Sequence, residues 1–499
     1  MNRSKVYWLV NAIFCVVIAT GLYVSTVLTV HPLYLILLFA LCSTPIVNVT
    51  KLNDRHGLLI LFSAMYFHFY GTLDLIHLFQ PVKDAKAIDG ILSMSETVIL
   101  IGSVIFQVAY RFASKSNSHL TPQTVITRDW PEATLVKVGI PLWVIGSILY
   151  WHFKINVISD VTRWAMEQGL SSLTPLQAAT LMLGTLFQPL GMMIIVYAYC
   201  RYKRPYMLLF LCGGVIYQFA VGFAGDSKLD ILMGIAITLA GFILINNKIP
   251  KGWLIGTLAF IALAFPAMQA NRTLRGLELM THQEAAQNII STLKKSIELG
   301  KQVKSGEIEA NTFSERTSMK SSIELITDKT GHGVSYQHGY TLIPIVEAFI
   351  PRILWPTKPD IQAGRLMNTQ FQVSVVDWTY ISPSHLGELY WNFGWLGVLI
   401  GMSMIGSLFG YLGYRFDMSA GPSITKFMVA AVTVKCLIMG FESTIAVMYV
   451  VWIRSMAAIG ILHLIFARHL NWNSADSKQD SFNNSDVTPP PQDHPNLLR

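Results

Sequence analysis

The sequence predicts an all-α, polytopic membrane protein, and three observations predict it. Hydrophobic residues make up 52% of the 499-residue chain and charged residues only 13%, about half the charged share usual in a soluble protein. Mean hydropathy is +0.46. The few charges are also segregated. They leave many windows of roughly 17–25 residues nearly free of charge, the length a helix needs to cross a bilayer.

Twelve spans follow in order, near residues 7–28, 33–50, 57–79, 90–112, 134–153, 176–200, 206–224, 229–246, 252–270, 395–415, 425–441 and 445–467. The first is longer than the apolar core of a signal peptide and lacks a small-residue cleavage site, so it reads as an uncleaved span. Spans one to nine fill residues 1–270, a large loop occupies 271–394, and spans ten to twelve fill 395–467. The 468–499 tail, with Pro489, Pro490 and Pro491 in a row, has too few apolar residues to bury a core and reads as disordered.

Lysine and arginine in short loops mark the cytoplasmic side. With the N-terminus inside, that side carries sixteen of them, against five in the short outer loops: Lys83, Lys86, Lys154, Arg163 and Lys228. Both termini are then cytoplasmic and the 271–394 loop is extracytoplasmic. No repeat relates two halves of the chain, which counts against a transporter built from repeats.

All five cysteines lie in spans or at their ends. They form neither a disulfide framework nor a metal-ligand spacing and read as small apolar packing residues. The net charge of +8 sets topology and gives little support to nucleic-acid binding. In the large loop, residues 282–303 read as an amphipathic helix with Ile289, Leu293 and Ile297 on one face. The later stretch FIPRILWPTKP, from Phe349, reads as irregular backbone packed on the tops of the spans.

Cations of this loop are candidates for an anion site. Arg272 and Arg275 follow the ninth span at once, and Arg352, Lys358 and Arg365 come from the Pro- and aromatic-rich half. Guanidinium forks match phosphate oxygens in pairs, while lysine supplies a point charge. Pairing with Glu278, Glu347 or Asp360 accounts for any one of them, but as a set they favour an anionic ligand. Lys228, in the short outer loop GFAGDSKLD, adds charge beside glycines whose backbone N–H groups can approach an anion, although a plain tight turn explains the glycines as well.

Three ionisable residues lie within or at the ends of the last spans. Lys435 and Arg454 stand at membrane depth, and Glu442 follows Lys435 by seven residues on the same helical face. Such groups are costly in lipid and usually face a cavity, a partner or a pathway. For Lys435 a structural ion pair with Asp74, Glu96 or Asp230 is the simpler account. The last candidates stand in SPSHLGELYWNFG, where the loop returns to the membrane. His385 and Glu388 are three apart and share a face once a helix has begun. Either side chain is of the type that takes a proton from a hydroxyl. Equally, Glu388 reads as a helix-start carboxylate favoured by the dipole, with Ser382 or Ser384 as the cap. A zinc site is not supported, because no HExxH pattern occurs.

FIPRILWPTKP (from Phe349) and HLGELYWNFGWLG (from His385) resemble elements of the Wzy-type O-antigen polymerases, the oligosaccharide repeat-unit polymerases of bacterial surface polysaccharide assembly. That family shows a Pro-Arg-x-x-aromatic-Pro-x-Lys-Pro-like element in its large outer loop, followed by a Gly-Glu-x-Tyr-x-Asn-Phe-Gly-like element leading into the next span. The resemblance covers about fifty residues. It implies a glycosyltransferase of GT-C type in the bacterial inner membrane that uses undecaprenyl-diphosphate-linked oligosaccharides, needs no cofactor, and works beside a chain-length regulator. The growing chain would leave its lipid diphosphate for a sugar hydroxyl of the next unit. Arg272, Arg275, Arg352, Lys358 and Arg365 would hold the diphosphate, and Glu388 or His385 would act as base. Lys228 departs from an expected arginine. The competing readings are an O-antigen ligase, whose Arg/His-rich loop element is missing here, a flippase or transporter of the lipid-linked unit, and a structural partner in polysaccharide export.

Overall fold

The computed structural model describes residues 3–24, 30–48, 55–79, 91–116, 129–154, 174–224, 228–247, 251–253, 255–256, 294, 318–350, 354–355, 362–374, 380–419 and 421–482. The helices run α1 Arg3–Val24, α2 Pro32–Asn48, α3 Gly57–His77, α4 Met94–Ser116, α5 Glu132–His152, α6 Pro175–Tyr202, α7 Pro205–Ala224 and α8 Lys228–Asn246. Three short helices follow, α9 Lys320–Lys329, α10 Ile343–Glu347 and α11 Ala363–Phe371, and then α12 Ser384–Arg415, α13 Ile424–Glu442 and α14 Ile445–Phe482. Among the described residues the one β pairing is an isolated bridge between Thr330 and Val334.

Nine of these helices are apolar and long enough to cross a membrane, and α2 and α8 carry shorter apolar stretches. Together they coincide with eleven of the expected spans, so the chain is an all-α, multi-pass membrane protein. The ninth span, 252–270, and the amphipathic 282–303 segment lie almost wholly outside the described residues. One expectation is corrected. The tail does not lose structure at 468, because α14 continues to Phe482. A helix already nucleated by its apolar part extends through polar residues at little cost.

The helices pack around two apolar cores. One gathers α1 to α4, α9 and α12, with Phe62, Tyr66, Phe106 and Trp391 fully buried. The other gathers α5 to α8 with most of α13 and α14. α13 serves both, giving Leu437 and Phe441 to the first and Phe427, Met428 and Cys436 to the second.

Lipid offers no hydrophobic drive between helices, so close approach of small residues has to supply the contact. A Cβ on Gly146 of α5 would stand 2.2 Å from Gln188 N of α6, and one on Gly191 of α6 would stand 2.3 Å from Trp143 N of α5. α4 and α12 meet the same way, with Gly406 over Phe106 O and Gly410 over Tyr110 O.

α12 is two helices joined at Gly394, whose φ of 60° and ψ of −142° break the helical run. That combination is open to glycine and strained for other residues. The break leaves carbonyls of the preceding turn without intrahelical donors. Two are taken up by the returning loop: Gln337 N donates to Trp391 O and His338 N to Asn392 O, each at 3.1 Å. The short segment before the kink, residues 384–393, therefore sits at one end of the bundle and carries both His385 and Glu388.

Candidate functional site

The site forms where the start of α12 meets the hinge between α13 and α14. Ser384 takes a φ of 58°, and its hydroxyl accepts from Gly387 N at 3.3 Å, so Ser384 caps the helix as expected. Tyr70 of α3 donates to the same hydroxyl at 3.1 Å. Ser382 Oγ accepts from Ser384 N and donates to Ser443 O. Gly387 has a packing reason as well: a Cβ there would meet Ile326 Cδ1 at 2.8 Å and Ile323 Cδ1 at 3.0 Å. The apolar face of α9 seats on that bare position.

His385 is 2% exposed. Its Nδ1 lies 2.6 Å from Gly440 O, and since a carbonyl only accepts, Nδ1 carries the proton. Nε2 is then a bare acceptor, and it is buried without a hydrogen-bond partner among the described residues. Phe441 stands edge-on to the ring with centroids 4.9 Å apart.

Glu388 is fully buried. Its Oε2 accepts from Ile445 N at 2.6 Å, the first residue of α14. The carboxylate thus sits at a helix start, where the dipole favours it, but the helix is α14 and not its own. Thr444 Oγ1 completes this end by accepting from Val447 N at 3.3 Å. The other oxygen, Oε1, is buried and makes no hydrogen bond of ordinary geometry among the described residues, while the Thr341 hydroxyl faces the carboxyl as a donor. Glu388 and His385 thus each present a buried acceptor one turn apart on α12, a disposition suited to a hydroxyl or another donor.

Asn392, one turn further on, fixes the roof of the site. Its Nδ2 donates to Glu388 O at 2.7 Å and to Thr341 Oγ1 at 2.8 Å, and its Oδ1 accepts from Gly339 N at 2.8 Å. All of its polar atoms hold the 339–341 turn against α12.

A second polar cluster stands at the same end. Lys320 of α9 reaches Asp74 Oδ2 at 2.5 Å and Glu96 Oε1 at 2.8 Å, and its ammonium lies over the Tyr34 ring at 4.6 Å. Glu96 Oε2 also meets His31 Nδ1 at 2.7 Å and accepts from Ser93 N at 2.9 Å. Burial by itself would push the Lys320 ammonium down, but Asp74 and Glu96 outweigh it and hold Lys320 above the ordinary lysine value. A further ammonium, Lys329 Nζ, donates to Phe371 O at 2.9 Å and so caps the C-terminus of α11.

The expected site residues fare unevenly. His385 and Glu388 lie one turn apart and buried in the first turns of α12. Arg272, Arg275, Arg352 and Lys358 lie outside the described residues. Lys228 opens α8, and its side chain is likewise outside them. Arg365 lies half-buried on α11. Lys435 is half-buried on α13 and makes no ion pair among the described residues. Its expected partners are engaged elsewhere: Asp74 and Glu96 hold Lys320, while Asp230 pairs with Lys154 at 3.3 Å and accepts from Tyr150. The reason is depth, because Asp74 and Glu96 stand at helix ends within reach of the loop. Arg454 is exposed on α14, and Glu442 closes α13 half-buried beside the hinge. Among the described residues no three His, Cys, Asp or Glu side chains group as metal ligands.

Sequence reasoning missed Lys320, Thr341 and Asn392. The alternation of KSSIELITDK, with isoleucines three apart on one face and Lys320 at its start, carried a signal for the first. Asn392 stood inside the quoted motif, and its role needed the kink to be seen. Comparison with known proteins gives no match: no protein-family model fits the chain, and no curated protein or solved structure is significantly similar to it.

Proposed function

We propose that the protein polymerises lipid-linked oligosaccharide repeat units on the periplasmic face of the bacterial inner membrane. In this reading it is a Wzy-type O-antigen polymerase of about twelve spans, GT-C-like in fold, with both termini cytoplasmic. The observation that carries the reading is the pair of buried proton acceptors, the Glu388 carboxyl and His385 Nε2, set where the large loop meets the bundle. The resemblance of the surrounding motif supports it.

The chemistry is a displacement at the anomeric carbon. The acceptor hydroxyl oxygen bonds to C1 of the growing chain, the bond from C1 to the diphosphate oxygen breaks, and the hydroxyl proton passes to Glu388 or His385. The diphosphate leaves on its undecaprenyl chain, and preplaced cations stabilise the charge it gains. Arg272, Arg275, Arg352, Lys358, Arg365 and Lys228 are the groups assigned to it. A positioned base of this kind is worth roughly 10²–10⁴-fold in rate.

Purified protein and synthetic lipid-linked repeat units, read on a gel, test this. A ladder of products supports it, and Glu388→Gln should reduce the ladder by about 10²-fold or more. Glutamine can still accept from Ile445 N, so the helix contact survives the change while the base does not. Movement of intact substrate across liposomes with no ladder would replace the polymerase by a transporter, and a full ladder from Glu388→Gln would leave Glu388 a fastener of α14.

A further inference from the structure

The stretch that covers the site is built inside out. In residues 340–350 the polar side chains turn inward: Thr341 is fully buried and Glu347 is 5% exposed. Four apolar ones turn outward, Ile343 and Ile350 each 41% exposed, Phe349 67% and Val346 71%, while Leu342 and Ile345 pack against the core. Leu354, just beyond, is 76% exposed. A loop in water would show the reverse. Single apolar residues are ordinary on a wet surface, but a run of five within twelve residues is not.

The place of this run in the fold says what covers it. Its 3-10 turn, Tyr340–Leu342, packs on α12 and α14, and α10 packs on α14. On those two helices the neighbouring outward residues are also apolar and exposed: Phe393, Leu396 and Ile400 on α12, and Val447 in the first turn of α14. The outward side chains of Ile343, Val346, Phe349, Ile350 and Leu354 thus continue the lipid-facing surface of two membrane helices.

We propose that residues 340–350, with Leu354, form a membrane-interface anchor in which Ile343, Val346, Phe349, Ile350 and Leu354 are set among lipid acyl chains beside α12 and α14. The anchor fixes the roof of the site at the depth of the lipid headgroups, since the same turn is tied to α12 through Asn392. It depends on the protein spanning a membrane and not on the reaction it performs.

Spin labels test it directly. Val346→Cys, Phe349→Cys and Leu354→Cys, each in a background with the native cysteines replaced, are labelled and reconstituted in phosphatidylethanolamine and phosphatidylglycerol vesicles. Ile461→Cys, exposed on the α14 span, serves as the lipid reference, and Ser419→Cys, exposed at the opposite end of the bundle, as the aqueous one. The expected result is a ratio of oxygen to nickel-chelate accessibility severalfold above that of Ser419→Cys and close to that of Ile461→Cys. A ratio like that of Ser419→Cys places the segment in water and overturns the proposal. Low accessibility to both reagents places it against protein and overturns it equally. The labelled positions are surface-exposed, so folding is expected to survive, and retention of the wild-type elution volume in detergent confirms it for each variant.

Discussion

Removal of the Lys320 ammonium is the sharpest test of how the loop is held to the bundle. Lys320→Met keeps the length and apolar stem of the side chain and deletes the charge. The side chain is 11% exposed, that of Asp74 10% and that of Glu96 1%, so neither carboxylate recovers its hydration when the ammonium goes. Breaking a buried pair from one side costs about 3–5 kcal/mol, chiefly because a charge is left uncompensated. The same reasoning predicts that Lys320→Met with Asp74→Asn and Glu96→Gln costs much less than the single change. Reversible unfolding in mixed detergent micelles measures both. A single change worth less than about 1 kcal/mol, or a triple variant no more stable than the single one, refutes the ledger. The pH dependence has a definite sign. Lys320 is held above its unfolded value, so its contribution is fully present below the unfolded pKa of about 10.5. It disappears as pH rises through the folded value. The gap between wild type and Lys320→Met should therefore stay constant from about pH 7 to 9 and close only in strong alkali.

Asn392→Ala removes two hydrogen bonds that hold the 339–341 turn and a third to Glu388 O within α12. At about 1 kcal/mol net for each, it should cost roughly 2–3 kcal/mol and open the turn to limited proteolysis; a change within about 0.5 kcal/mol would show the turn is held by other contacts. Gly146→Ala should destabilise by about 1–3 kcal/mol through overpacking, because its Cβ would enter the α6 backbone. Gly213→Ala on α7 meets nothing within 4 Å and should be stabilising by about 0.5–1 kcal/mol from helix propensity. Thermal unfolding of the two side by side decides whether close approach or propensity governs these glycines.

Spans were legible because a bilayer imposes one length and one composition on every helix that crosses it. The expected 57–79 and 425–441 windows fall within about two residues of α3 and α13 for that reason. Pairing was not legible. Asp74, Glu96 and Asp230 stood out as candidate partners for Lys435, but hydropathy carries no information on which cation reaches them. Lys435 was assigned to them by depth alone. Lys320, hidden in a loop segment of mixed composition, holds two of the three because α9 lies across the helix ends where those carboxylates stand.

The same limit applies to the motif at the start of α12, and it sharpens what Glu388 means. Most of SHLGELYWNFG has a structural duty: Ser384 caps, Gly387 admits α9, Asn392 clamps the turn and Gly394 kinks the helix. A motif so fully used for packing would need no chemistry to explain it, and even Glu388 is half spent on the α14 start. What resists a purely structural account is the leftover. A cap needs one oxygen, and a glutamine or the hydroxyl of a serine serves a helix start at least as well. Burying a whole carboxyl where one oxygen would do, one turn from a histidine whose buried Nε2 has no partner among the described residues, incurs a desolvation cost that fastening alone does not require. Proteins that bear such a cost at the mouth of a membrane bundle ordinarily use the group for a pathway or a reaction. That surplus, rather than the match of letters, is the physical reason to look for a proton-accepting role at Glu388.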